Sequence, residues 1–360
     1  MRETVEFYRH LVQRGEDGRY HIHGTNVHEE FWGAKDGIMD LAAIRGTVPL
    51  AIKAAKILKL DKELCAKWKE LLDNLAPYPM GSEPQSMALT GGVLAGDVWA
   101  AGHLGDVDGS HHCEDIWLNP IFPFEDWTLE TRYPETDRIV QKALNLAPRL
   151  SKILNGYDNC TTSIRTPIVC SRAGQGDKLP SVLVSYYAAF SPLPNGLSLF
   201  EGWQDSSSEH LGCISMTVQE GLLQSVSARP GEPEVINVLP AWPKECDASF
   251  RLLARGGFLV TASVRNGKLE FVEIESRLGE PCRLRNPWKR PCLVTEIGGA
   301  AQELKSDILC FKTGRGRSYL VLPKGRPAPK RRRLSPKPST GPVSFSYRLP
   351  NGKFLNIKHS

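Results

Sequence analysis

No stretch of this chain approaches the ~20 apolar residues that a helix needs to cross a bilayer, so a helical membrane protein is excluded. The N-terminus, MRETVEFYRH, is charged from its second residue and has no apolar core of the signal-peptide kind. The nine cysteines (Cys65, Cys113, Cys160, Cys170, Cys213, Cys246, Cys282, Cys292 and Cys310) are odd in number and scattered. None forms a CxxC pair, so neither a zinc ribbon nor a disulfide framework is indicated. A reducing, cytoplasmic compartment is the default expectation, and export is expected only if an upstream segment carries the signal. Walker loops, GxSxG elbows, GxGxxG cradles and HExxH helices are all missing from the sequence. The net charge of +5 is small for 360 residues. Its densest run, Lys330-Arg-Arg-Arg333, lies among prolines and serines and reads as a solvated linker rather than a nuclear signal. With no basic face elsewhere, nucleic acid is not an expected partner.

What is present falls into two halves. Helical spacing of Val5, Tyr8, Leu11 and Val12 predicts a first helix. A Gly-, His-, Asn- and Glu-rich loop over 15–32 follows. A helix begins at Asp36, with Pro49 expected to kink it. A further helix is predicted behind Asp61 as N-cap, with Leu64, Trp68, Leu71, Leu72 and Leu75 on one stripe. Residues 80–127 read as irregular, yet Trp99, Trp117 and Trp127 argue for a packed segment. More helices are expected over 134–154, 161–173, 178–190 and 213–225. From Glu234 the period changes to two, and Asn266-Gly267 between alternating runs predicts a hairpin. Strands are also expected near 282–284, 292–296, 308–312 and 318–322. The expected units are 1–228, 229–325 and a flexible basic tail, 326–360.

Two polar loops precede helices and concentrate chemistry. One runs His21-Ile-His-Gly-Thr-Asn-Val-His-Glu-Glu-Phe-Trp-Gly33; the other runs Phe200-Glu-Gly-Trp-Gln-Asp-Ser-Ser-Ser-Glu-His-Leu-Gly212. Each sets carboxylates beside an indole: Glu29 and Glu30 near Trp32, and Glu201, Asp205 and Glu209 near Trp203. Glycoside cleavage uses such a pair, one carboxyl protonating the leaving oxygen while the other assists water. Solvated surface loops, with Trp32 and Trp203 as core anchors, are the competing reading. A metal reading of His21, His23, His111 and His112 ranks behind both.

The order of segments resembles glycoside hydrolase family 95, the α-L-fucosidases and α-L-galactosidases. The resemblance rests on Met39-Asp-Leu-Ala-Ala-Ile-Arg45, His111-His-Cys-Glu-Asp-Ile-Trp-Leu-Asn-Pro-Ile-Phe-Pro123, Ser171-Arg-Ala-Gly-Gln-Gly-Asp177 and Gln219-Glu-Gly-Leu-Leu-Gln-Ser225. Leu239-Pro-Ala-Trp-Pro243, Leu253-Ala-Arg-Gly-Gly-Phe258 and Cys282-Arg-Leu-Arg285 extend it. It implies an α+β multidomain fold, part of an (α/α)6 toroid followed by a small antiparallel β-sheet domain. The family's β-sandwich and early helices have no counterpart before Met1, so the chain is expected to be a C-terminal portion whose partner is the missing N-terminal part. The implied function is inverting hydrolysis of α-L-fucosides or related glycosides without a cofactor or metal. A non-catalytic carbohydrate-binding or scaffold descendant is the alternative. Glu29 is implied as general acid, with Glu30 its alternative, although the family's Ser-Pro-Glu-Asn is not intact. Glu209 is implied as base, in Ser208-Glu-His-Leu-Gly212 where the family has Asp-Gly-Asn-Phe-Gly. Asn26, His28, Trp32, Trp203 and His210 are the expected substrate-binding residues, and an oligosaccharide or glycoside the expected ligand.

Overall fold

The apolar spacing at the N-terminus produces helix α1 (Arg2–Leu11), which buries Val5 completely. The computed structural model describes residues 1–27, 31–81, 98–103, 106–107, 116–131, 136–142, 144, 165–183, 198–199, 206–207, 209–329, 344–348 and 354–358. Of these, residues 31, 106–107, 198–199, 206–207, 209–210, 344–348 and 354–358 are described in backbone only.

Helices α2 (Ile38–Leu58) and α3 (Lys62–Asp73) pack on α1. Val5, Ile22, Leu41, Ile44, Val48, Trp68, Leu71 and Leu75 form their shared core, as the stripe on α3 predicts. Helix α2 continues through Pro49, which leaves the Arg45 carbonyl without its helical donor. Asp61 stands at the N-cap of α3, but in a left-handed conformation and without a side-chain cap bond. Its carboxylate instead lies 3.3 Å from the Arg2 guanidinium. The charge of Arg2 thus competes successfully for an oxygen expected to bind backbone N–H groups.

A second core lies on the other side of α2. Val27, Ala34, Ile38, Trp99, Trp117, Ile121, Trp127, Val140, Val169 and Cys170 share it. The three tryptophans are at most 4% exposed, so this irregular segment is interior structure. Gly46 of α2 lies so close to it that an added Cβ would stand 2.7 Å from the Phe124 carbonyl oxygen.

The third core joins two sheets. One has six strands in the order Ala248–Ala254, Phe258–Arg265, Lys268–Ser276, Arg317–Pro323, Cys292–Glu296 and Ala301–Leu304, all antiparallel. The other orders Ile308–Phe311, Cys282–Arg285, Val235–Val238 and Leu223–Val226. Alternation sends Val260, Ala262, Val272, Ile274, Val294 and Val321 inward against Ile236, Leu284 and Leu309. The Asn266-Gly267 turn forms as expected, both residues at positive φ.

The structure departs from expectation in four places. The segment 15–32 contains short strands, Tyr20–His21 paired with Gln13–Arg14 and Thr25–Val27 paired with Phe31–Ala34. The helix expected to reach Ser225 stops at Leu222, and Leu223–Val226 is already a strand of the four-stranded sheet. That sheet is mixed, because Cys282–Arg285 lies parallel to Val235–Val238. Within the expected tail, Ser344–Arg348 and Phe354–Lys358 pair antiparallel. Helices and a β-rich C-terminal half give an α+β architecture. None of the described helices is long and apolar enough to cross a membrane.

Candidate functional site

The first polar loop is a hairpin seated on the start of α2. Its strands Thr25–Val27 and Phe31–Ala34 are joined by Asp106–Val107, with Phe31 opposite Val107 and Trp32 opposite Asp106. Val27, Phe31 and Val107 therefore mark one end of this sheet. In sequence, His28, Glu29 and Glu30 follow Val27, and the segment containing His111 and His112 follows Val107. These five residues lie outside the described ones. Beside that end Trp32 is 43% exposed, so it is not the core anchor of the competing reading. Asn26 is exposed too, its side-chain oxygen accepting a 3.3 Å bond from the Gly33 N–H.

The seat is tight and specific. A Cβ at Gly37 would meet Val27 Cγ2 at 2.7 Å and the side-chain oxygens of Thr25 and Asp40 at 3.3 Å. Asp36, buried and at φ 55°, makes the turn from hairpin into helix. Its carboxylate accepts from the Ile22 N–H at 3.0 Å and meets His21 Nδ1 at 2.6 Å. His21 Nε2 meets Asp17 at 3.2 Å, so both ring nitrogens are held by carboxylates. In the first turn of α2, burial raises the Asp40 pKa, opposed by the Thr25 and Tyr8 hydroxyls beside it. Burial, with the Asp40 charge, pushes the Tyr8 phenol up to about 12.

The second loop is also held by a hairpin, Ser198–Leu199 against Ser206–Ser207. Trp203, Glu201 and Asp205 lie outside the described residues. Glu209 and His210 open the helix Glu209–Leu222, in backbone only. That helix packs on Thr166–Arg172, where Ser171 Oγ donates to the Thr217 carbonyl at 2.8 Å. Thr166–Arg172 in turn gives Val169 and Cys170 to the core beneath the first hairpin. One connected frame thus carries the first hairpin and the helix that Glu209 opens.

Sequence reasoning missed a charged joint between helices and sheets. Arg172, 6% exposed, reaches Glu125 at 2.6 Å and Glu220 at 2.8 Å. Arg255, from the turn after the first sheet strand, grips both oxygens of Glu125 at 2.6 Å. Burial opposes ionisation of Glu125, but the two guanidinium groups outweigh it and lower its pKa. For Glu220 burial prevails over Arg172, and its pKa rises. A cavity of about 140 Å³ adjoins the joint, lined by Arg172, Glu220, Ser225 and Arg255 among others. The signal available was the Arg172 motif, but its partners lie 47 and 48 residues away in sequence.

Among the described residues, no group of three or more His, Cys, Asp or Glu side chains could hold a metal ion. Residues 231–321 match the model described as glycoside hydrolase family 95, C-terminal domain. The match runs from the strand Val235–Val238 into the strand Arg317–Pro323, bearing out the family resemblance on this part of the chain. No curated protein matches the chain.

Proposed function

We propose that this chain is the working part of a glycoside hydrolase cleaving α-L-fucosides or related glycosides with inversion, its helical half being part of an (α/α) toroid and its sheets a β-sandwich. The observation that carries the reading is a family 95 C-terminal domain match over residues 231–321, whose strand Val235–Val238 pairs with Leu223–Val226, the direct continuation of the helix that begins at Glu209. Exposed Trp32, at the end of the first hairpin, supports it with a ring face suited to a sugar.

Glu29, with Glu30 as alternative, serves as general acid and gives its proton to the leaving oxygen. Glu209 acts as general base on a water at the opposite face of the sugar. Inversion requires carboxyls roughly 6.5–9.5 Å apart, leaving room for that water. Trp32 and Trp203 stack on the ring, and Asn26, His28 and His210 bind its hydroxyls. No cofactor enters: the acid's proton goes to the leaving oxygen as the glycosidic bond breaks, water bonds to the anomeric carbon and yields its proton to the base, and both carboxyls reset by exchange with solvent.

The test is hydrolysis of aryl α-L-fucosides and fucosylated oligosaccharides by the whole chain, with the anomer formed first followed by NMR. Inverted product is expected, with a loss on the order of 10²–10⁴-fold in kcat for Glu29→Gln and Glu209→Gln. An unchanged rate in Glu29→Gln would remove it as the acid. Glycoside binding without turnover would favour a non-catalytic descendant.

A further inference from the structure

We infer that the sheet half carries a second carbohydrate site, separate from the proposed catalytic loops, that takes an acidic oligosaccharide such as a uronate-containing chain. The site is a cavity of about 730 Å³, large enough for a disaccharide or more. Two half-buried indoles, Trp242 and Trp288, and four cations, Lys244, Lys268, Arg290 and Arg326, line it. Among the described residues no carboxylate lines it.

The construction is local and rigid. The Asn266-Gly267 turn leans on the loop carrying Trp242 and Lys244. A Cβ at Gly267 would stand 3.0 Å from the Lys244 carbonyl, and Asp247 accepts the Asn266 N–H at 2.7 Å. Trp242 donates its indole N–H to the Cys246 carbonyl at 2.9 Å, and Trp288 donates to that of Leu269 at 3.3 Å. Both rings are oriented by these bonds, and what they offer a ligand is ring surface rather than a donor. Arg326 donates to the Leu269 carbonyl at 2.7 Å, anchoring the rim. Among the described residues none of the four cations forms an ion pair, so their charges are not already spent on the protein's own carboxylates.

Chemistry selects the ligand. Indole rings pack against the C–H faces of sugar rings, while arginine and lysine pair with carboxylate or sulfate groups. A neutral glycan would leave four like charges uncompensated. The chain's own continuation beyond Arg326 is disfavoured as occupant, because Lys330-Arg-Arg-Arg333 would add positive charge to a positive cavity.

The inference rests on the glycosidase reading for the sugar, but its test does not depend on turnover. The full chain is titrated calorimetrically with a galacturonic acid tetramer, a neutral galactose tetramer and inorganic polyphosphate, at low and high salt. Expected are binding of the uronate that weakens with salt, a shift in tryptophan emission, and no binding of the neutral tetramer. Lys244→Glu with Lys268→Glu, both at exposed positions, lowers uronate affinity at least about tenfold with melting temperature and fucoside hydrolysis unchanged. Glu29→Gln lowers hydrolysis on the order of 10²–10⁴-fold and leaves uronate binding intact, so each reading can fail while the other stands. Absence of uronate binding, equal binding of the neutral tetramer, or polyphosphate binding with the same emission shift overturns the site. So does binding that survives Lys244→Glu with Lys268→Glu but is lost when Lys330, Arg331, Arg332 and Arg333 are all replaced by Gln.

Discussion

At Glu125, a single carboxylate receives two guanidinium groups in a half-dry joint, and its neighbour Glu220 receives a share of one. The two acids are pushed in opposite directions, which gives the protein a pH signature. Glu125 has a lowered folded pKa, so its contribution to stability is present above the ordinary glutamate range and is lost as pH falls through the lowered value. Glu220 has a raised folded pKa, so its contribution is complete below the ordinary range and is lost as pH rises through the raised value. Replacing Glu125 by Gln is expected to cost on the order of 3 kcal/mol at neutral pH, since buried Arg172 loses its shorter ion pair and Arg255 loses its bidentate acceptor. Replacing Glu220 by Gln is expected to cost far less and to flatten the fall in stability above the ordinary glutamate range. Urea unfolding across pH separates the two. Equal losses at neutral pH would show that the pair shares Arg172 evenly and that the opposed shifts are wrong.

Elements were legible in the sequence where a local pattern decides them. The stripe from Leu64 to Leu75, which buries Trp68, Leu71 and Leu75, and the Asn-Gly turn are cases where burial period or positive φ leaves one solution. The short strands Thr25–Val27 and Phe31–Ala34 were not legible, because their mutual pairing is brief and irregular in register and is completed by distant partners, Asp106–Val107 and the N-terminus of α2. The strand Leu223–Val226 was read as helix for the same reason. Leu-Leu-Gln-Ser carries no preference strong enough to resist the ladder offered by Val235–Val238. Of the candidate site, the indole and polar residues Trp32 and Asn26 were legible as exposed chemistry. The glycine that seats them was not singled out, since a close approach leaves no compositional trace. Gly37→Ala tests its weight. The added methyl must displace Val27, which holds one strand of the hairpin, at a cost of about 1–3 kcal/mol. Hydrolysis is expected to fall more than stability alone explains, measured at a temperature where the variant remains folded. A variant as active as the parent would show that the hairpin end is not part of the catalytic geometry.

For the whole molecule, the question is whether the helices and the sheets are one folding unit or two. The joint is built of short, mostly buried bonds rather than a flexible connection. Thr128 and Thr131 donate to the carbonyls of Ser227 and Ala228 at 2.7 Å each. Glu130, with its side chain 5% exposed, accepts from Asn237 at 3.1 Å and from Arg285. Gln224, already in the sheet, donates to the Ser171 carbonyl at 2.8 Å. The Glu209–Leu222 helix passes into strand Leu223–Val226 with no intervening residue. Opening the sheet therefore strips partners from buried groups on the helical side, and each unpaired group costs about 1–3 kcal/mol. Native-state amide exchange is expected to give α2 and the strand Phe258–Arg265 the same opening free energy. Glu130→Ala combined with Arg255→Ala, which removes two of the ties, is expected to let the helical amides exchange first. Separate opening energies in the parent chain would mean that the joint transmits little. The loop bearing Glu209 would then owe its position to the helices alone.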